Sequence, residues 1–114
     1  MPLTITNRKS GNVTIVSIVG RITLGAGAVS LRESLLELAA GEGPGFVLNL
    51  SGVSNIDSSG IGELVSGFTT ARSKGRVMKL AALPKRVEDL LRMTGIYRIF
   101  EIHRDDTQAI RSFE

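Results

Sequence analysis

The segment FVLNLSGVSNIDSSGIGELVSGF, residues 46–68, decides the fold of this 114-residue chain. It opens with a short apolar run, 46–50, of the length and composition of a buried strand. A polar stretch, 51–57, is predicted to be a loop. Beyond it, apolar residues recur at helical spacing, at Ile61, Leu64, Val65 and Phe68. The segment therefore predicts a strand, a loop and a helix, which is a building unit of α/β folds.

Between the predicted strand and helix stand Asp57, Ser58, Ser59 and Gly60. The first backbone N–H groups of a helix have no partner within it, and an Asp or Ser just ahead of the first turn accepts hydrogen bonds from them. Helix capping alone explains these residues. The same position also places a serine hydroxyl in the field of oriented N–H groups, where an anion is tolerated. From the residues alone, both interpretations stay open.

The rest of the chain continues the alternation of strands and helices. Further strands are predicted at 3–7, 13–19, 77–82 and 98–102, and helices at 28–40, at 58–74, after Pro84 and after Asp105 or Asp106. A tight turn at 9–12 makes the first two strands antiparallel, whereas strands that alternate with helices pair in parallel. We predict a single α/β domain over residues 1–114, with a mixed sheet of four or five strands, an antiparallel N-terminal edge and about four helices packed on it.

Hydrophobic periodicity also predicts which residues form the core. The expected members are apolar residues of the predicted strands and helices: Leu48, Leu50, Ile61, Leu64, Phe68, Leu80, Leu90 and Leu91. A loop with three glycines, 20–27, is expected to lie beside Ser58, because crossovers bring the ends of adjacent parallel strands to one edge of the sheet.

Composition excludes several classes of function. With 42% hydrophobic and 22% charged residues, the chain is typical of a soluble globular protein. It has no cysteine, which excludes disulfides, thiolate zinc sites and thiol catalysis. No apolar run is long enough to span a membrane, and the N-terminus lacks a signal peptide, so a cytoplasmic location is expected. The net charge of +3 is scattered rather than striped, which argues against nucleic-acid binding.

The residues do not assemble into a catalytic set. His103 is the single histidine and has no nearby partner of ligand type. Glu63 lies within two turns of Ser58, but no set of base, nucleophile and oxyanion site can be assembled around it. Gly25 and Gly27 imitate a dinucleotide-binding loop, but Ser30 replaces its third glycine. We therefore predict that the protein is not an enzyme and binds no metal or cofactor.

The chain resembles a STAS domain, specifically the bacterial anti-sigma factor antagonist family. The hallmark of that family is an apolar strand followed by Asp-Ser-Ser/Thr-Gly-Leu/Ile-Gly at the start of a helix, which is found here at residues 57–62. The similarity continues through Gly-Arg-Ile-Thr at 20–23 and Leu-Leu-Arg-Met-Thr-Gly-Ile at 90–96. It therefore covers essentially the whole chain.

The resemblance implies a partner switch. The unphosphorylated protein would bind an anti-sigma factor that is itself a serine kinase and thereby release the sigma factor. That kinase would phosphorylate Ser58, and a serine phosphatase would reverse the modification. Asp57 would orient the hydroxyl or cap the helix, with Ser59 supporting the site, while Gly60 and Gly62 would let the partner approach the backbone closely.

Partner-binding residues are expected in the glycine-rich loop, at Gly20, Arg21, Thr23 and Gly25. Family members often carry acidic residues where this chain has Arg21 and Thr23, which leaves the identity of the kinase open. Two other functions also remain open. One is a STAS scaffold or transport-accessory module that does not switch. The other is a nucleotide- or small-ligand-binding module that uses the glycine loop and the helix start at Ser58.

Overall fold

The computed structural model describes residues 3–114, and the strands in this range form one sheet in the order β1-β2-β3-β4-β5. The strands are β1 (Thr4–Ser10), β2 (Val13–Ile22), β3 (Gly45–Ile56), β4 (Val77–Ala81) and β5 (Ile102–His103). β1 pairs antiparallel with β2, and every later neighbour is parallel. The predicted mixed sheet with an antiparallel N-terminal edge is confirmed.

Helices cover both faces of the sheet. They are α1 (Ala26–Ala39), α2 (Ser58–Ser73), α3 (Lys85–Met93) and α4 (Asp106–Arg111). Successive residues of a strand point to opposite faces. In β3, Leu48 belongs to the larger core cluster with α1, α2 and α3, whereas Val47 belongs to a smaller cluster with Ala109 of α4. Three helices therefore share one face, and the short α4 packs on the other.

Most of the predicted core is buried. Six of the eight predicted residues are buried, and they are Leu48, Leu50, Ile61, Leu64, Leu80 and Leu91. Phe68 and Leu90 are partly buried and pack against the same cluster. Phe68 also meets Phe100 edge to face, with 5.5 Å between ring centroids. The register predicted for the second helix is correct.

The predicted loop at 51–57 is wrong, because β3 continues to Ile56. Residues 52–56 pair with β2, whose Ile22 lies opposite Ile56, and the side chains of Val53 and Ile56 are buried. The predicted loop at 20–27 is correspondingly shorter, since β2 extends to Ile22 and α1 begins at Ala26. β4 pairs with β3 only as far as Asn49, so the end of β3 projects beyond β4.

The predicted edge strands also differ from the observed ones. β1 extends three residues beyond the predicted end at position 7, because its register with β2 continues as far as Ser10 opposite Val13. Of the strand predicted at 98–102, residues 98 and 99 lie in a 3₁₀ turn, 97–99, and only Ile102 is in a strand, where it and His103 pair with β4. Each edge strand pairs with one neighbour only. The length of each edge strand is therefore set by how far that pairing extends, which the apolar pattern of the sequence does not show.

A buried lysine fastens α4 to the sheet. Lys79 of β4 is 5% exposed, and its ammonium group lies 2.8 Å from the Glu101 carboxylate. The same group donates to the Ser112 hydroxyl at 2.7 Å and lies 4.1 Å from the centre of the Phe113 ring. His103 contacts the same Glu101 oxygen at 2.7 Å. The charged groups therefore join β4, β5 and the end of α4.

Candidate functional site

Asp57 caps α2. Its backbone is extended, and its Oδ1 atom accepts hydrogen bonds from the backbone N–H groups of Ser59 at 3.0 Å and Gly60 at 3.1 Å. These are two of the donors that a helix start leaves without partners. The capping role foreseen for Asp57 is therefore present in the fold.

The second carboxylate oxygen of Asp57 holds the neighbouring loop. Oδ2 accepts from the backbone N–H of Leu24 at 2.9 Å, and the Asp57 N–H donates to the Ile22 carbonyl at 3.3 Å. One side chain thus joins the β2–α1 connection to the start of α2. The glycine loop lies beside Ser58, as the sequence predicts.

These hydrogen bonds hold the pKa of Asp57 below its ordinary value. The Leu24 N–H has the largest effect, and the Gly60 N–H comes next, because both stabilise the ionised carboxylate. The group carries its negative charge at neutral pH. Ser58 therefore has a fixed anion as its immediate neighbour.

Ser58 is the first residue of α2 and is exposed to solvent. Its hydroxyl forms no hydrogen bond within residues 3–114. Ser59, by comparison, is only partly exposed to solvent. Of the two adjacent serines, Ser58 is therefore the more accessible to another protein. Its phosphorylation remains a prediction.

The two glycines of the motif have different surroundings. Gly60 is buried, and a Cβ atom there would meet the Ile22 carbonyl and lie 2.7 Å from the Ile22 Cγ2 and 2.8 Å from the Ile56 Cγ1. Gly62 is exposed, and a Cβ atom there would meet nothing within 4 Å. Close approach of a partner was expected at both glycines. The structure shows instead that Gly60 lets α2 pack against the end of β2.

The residues predicted to bind a partner lie along the end of β2 and the following connection. Arg21 and Gly25 are exposed, and Gly20 and Thr23 are partly exposed. The Gly20 carbonyl accepts from the Ser54 hydroxyl at 3.3 Å, which ties this segment to the projecting end of β3. The structure therefore brings the predicted residues to the same edge as Ser58.

Two apolar residues near this edge were missed from sequence. Leu24 is 80% exposed although its backbone is bonded to Asp57, and Met93 at the end of α3 is 82% exposed. A leucine between the glycines of a loop was one available signal. Met93 follows the buried Leu91 by two positions and therefore lies off the apolar face of α3.

The glycine loop has a structural explanation that does not involve a nucleotide. A Cβ atom on Gly27 would meet the Arg21 carbonyl, so this glycine allows α1 to start against β2. Within residues 3–114, no group of three His, Asp or Glu side chains is placed to hold a metal ion. In the same range, no helix combines the length and apolar character needed to cross a membrane.

Comparison with protein families matches residues 4–109 to the STAS domain. Among curated proteins, the anti-sigma-B factor antagonist of Bacillus subtilis is 32% identical over 102 residues, which cover 90% of this chain and 92% of that protein.

Solved structures show how widely this fold is shared. An anti-sigma factor antagonist from Mycobacterium paratuberculosis has a TM-score of 0.86 at 20% identity, covering 97% of this chain and 93% of that chain. A sulfate transporter family protein from Wolinella succinogenes has a TM-score of 0.77 at 20% identity, covering 91% of this chain and 86% of that chain. Because regulators and transport proteins share the fold, function has to be argued from the site.

Proposed function

Because this chain belongs to the STAS domain family, we propose that it is an anti-sigma factor antagonist switched by phosphorylation of Ser58. In its unphosphorylated form it binds an anti-sigma factor serine kinase in the cytoplasm, and the sigma factor is released. The observation that carries the proposal is the exposed Ser58 hydroxyl on the Asp57-capped start of α2. A serine phosphatase restores the binding form.

The position of Ser58 favours modification without unfolding. The N-terminus of a helix is partially positive, and its orphan N–H groups accept an anion. Asp57 already uses the N–H groups of Ser59 and Gly60, and these internal contacts do not involve the Ser58 hydroxyl. A phosphate on Ser58 therefore projects into solvent and leaves the core unchanged.

The same phosphate opposes binding. It adds about −1.5 to −2 charges at neutral pH next to the ionised Asp57. Docking would remove these charges from water, and one unpaired charge in an interface costs about 2–5 kcal/mol. At about 1.4 kcal/mol per tenfold change, affinity falls roughly thirty- to several-thousand-fold. This range is sufficient for an on/off response.

The test uses purified anti-sigma factor kinases from the organism that encodes this chain, with ATP and Mg²⁺. Mass spectrometry should find one phosphate on Ser58, and none on the Ser58→Ala variant. Ser58→Ala should still bind the kinase, Ser58→Asp should bind weakly, and Ser59→Ala serves as the adjacent control. A phosphate on Ser59 instead of Ser58 would show that the switch residue had been assigned to the wrong hydroxyl. Kinase binding that is equal for the wild type and Ser58→Asp would refute the switch.

A further inference from the structure

We propose that the partner-binding surface extends from Ser58 onto α3, where a shallow groove receives an apolar side chain of the anti-sigma factor that is flanked by an acidic residue. This inference rests on the proposed function and identifies a second contact region for the same partner. It assigns Leu24, which is bonded to the Asp57 cap, and Met93, which lines the groove, as apolar contacts, and Arg86 as the cation that selects the acidic neighbour.

The groove forms because β3 extends beyond the end of β4. Pairing between these strands stops at Asn49 and Ala81, and α3 packs beside the projecting end of β3. The space between them is about 460 Å³ and is lined by Asn55, Ile56, Arg86, Asp89, Leu90 and Met93. Asn55 and Ile56 directly precede Asp57 and Ser58, so the groove is continuous with the switch site.

The most exposed apolar side chains lie on this surface. Among the large hydrophobic residues of the described chain, Met93 is 82% exposed and Leu24 is 80% exposed, and Leu36 follows at 53%. Leu24 is held beside the cap by its N–H bond to Asp57, and Met93 lines the groove. Single exposed apolar residues are ordinary. Here, however, Leu24 is bonded to the Asp57 cap and Met93 lines a groove with the two residues that precede Asp57, so both lie near the switch site. A flexible methionine is well suited to fit a partner's side chain.

The charges around the groove leave a cation free. Asp89 is paired with Lys85 at 3.2 Å. Arg86 donates to the Ser54 carbonyl at 3.5 Å, and within residues 3–114 no carboxylate lies within 4.0 Å of its guanidinium. Arg21, on β2 opposite Asn55, likewise has no carboxylate partner among the described residues. The edge therefore offers apolar contact area with positive charge, which complements an apolar residue next to an Asp or Glu.

The experiment measures the affinity of the full chain for the anti-sigma kinase by titration calorimetry. Met93→Ser and Leu24→Ser should each weaken binding at least about fivefold, as expected for a buried contact. Leu36→Ser replaces an exposed apolar residue of α1 outside this surface and should change binding less than about twofold. Arg86→Glu should weaken binding and change its dependence on salt. Met93→Leu, which preserves the apolar volume of the side chain, should retain most of the wild-type affinity.

Unfolding by urea confirms that each variant is folded before binding is compared. If Met93→Ser and Arg86→Glu bind like the wild type while Ser58→Asp does not bind, the groove is not a contact and the switch stands. If Ser58→Asp also binds like the wild type, the proposed function itself fails. If none of the organism's anti-sigma kinases binds the wild type, both proposals are overturned.

Discussion

The carboxylate of Asp57 holds together the two backbone segments that flank Ser58. One oxygen accepts from Ser59 and Gly60 at the start of α2, and the other accepts from Leu24 in the preceding connection. The side chain therefore keeps the switch residue and the glycine loop in a fixed relation. Removing it loosens the site at both ends, even though Ser58 itself is untouched.

Asp57→Ala should lower the free energy of unfolding by about 0.5–2 kcal/mol, the usual effect of losing a helix cap, and should also weaken partner binding. Asp105→Ala is the matched control, because Asp105 caps α4 by accepting from the Gln108 N–H at 2.9 Å away from the switch site. Urea denaturation and kinase titration measure the two effects. Equal binding by both variants would contradict the positioning role of Asp57.

Gly60 and Gly62 allow a paired test of packing. Gly60→Ala places a methyl group against Ile22 and Ile56 and should destabilise the protein by about 1–3 kcal/mol. Gly62→Ala meets open space and should stabilise α2 by up to about 1 kcal/mol. Thermal and urea unfolding measure both. A Gly60→Ala protein as stable as the wild type would mean that the start of α2 can move away from β2.

Local patterns in the sequence predicted much of the site. The cap at Asp57 and the accessible Ser58 follow from the order of strand, polar residues and helix. The burial of Gly60 does not, because it depends on how closely the Ile22 carbonyl approaches across the sheet. Met93 was missed for a similar reason, because its exposure depends on how α3 packs on the sheet, whereas the position of Leu24 between loop glycines was a local signal of exposure.

The long β3 positions the switch and shapes the groove. Its final residues pair with β2 alone, and α3 occupies the place that β4 leaves free. Sequence did not predict this extension, because Ser51, Gly52, Ser54 and Asn55 are turn-forming residues. Pairing with the end of β2 and burial of Val53 and Ile56 outweigh that local preference.

Helix α2 is anchored to this sheet by Leu64, which is fully buried. Leu64→Ala should lower the free energy of unfolding by about 2–5 kcal/mol, since it leaves a cavity between the helix and the strands. Leu36→Ala removes the same atoms from a residue of α1 that is 53% exposed and should cost less than about 1 kcal/mol. Urea denaturation compares the two, and equal costs would contradict the packing described for α2.

Stability of the whole molecule should fall in acid. The hydrogen bond from Lys79, with help from His103, lowers the pKa of Glu101 to about 2, and the pKa of Asp57 is lowered by backbone N–H groups. A carboxylate with a depressed pKa stabilises the fold fully above its unfolded pKa, about 4.3 for Glu, and loses that contribution as the pH falls through the folded pKa.

Urea denaturation between about pH 6 and pH 2 should therefore show unfolding free energy falling with pH, most steeply below about pH 4. Glu101→Gln should flatten the curve, because its amide does not titrate, although partial exposure of Glu101 keeps the effect modest. Glu114→Gln is the control on another exposed carboxylate. Parallel curves for wild type and Glu101→Gln would show that the Lys79 contact does not stabilise the fold.

The order of strands across the sheet matches their order along the chain. During synthesis, which proceeds from the N-terminus, each strand that leaves the ribosome finds its neighbour already made. The sheet can therefore grow in the direction of translation, and no strand has to wait for a segment that has not yet emerged. Because each strand pairs with the strand that precedes it along the chain, each closure spans a shorter loop than pairing with a more distant strand would, and it loses less loop entropy.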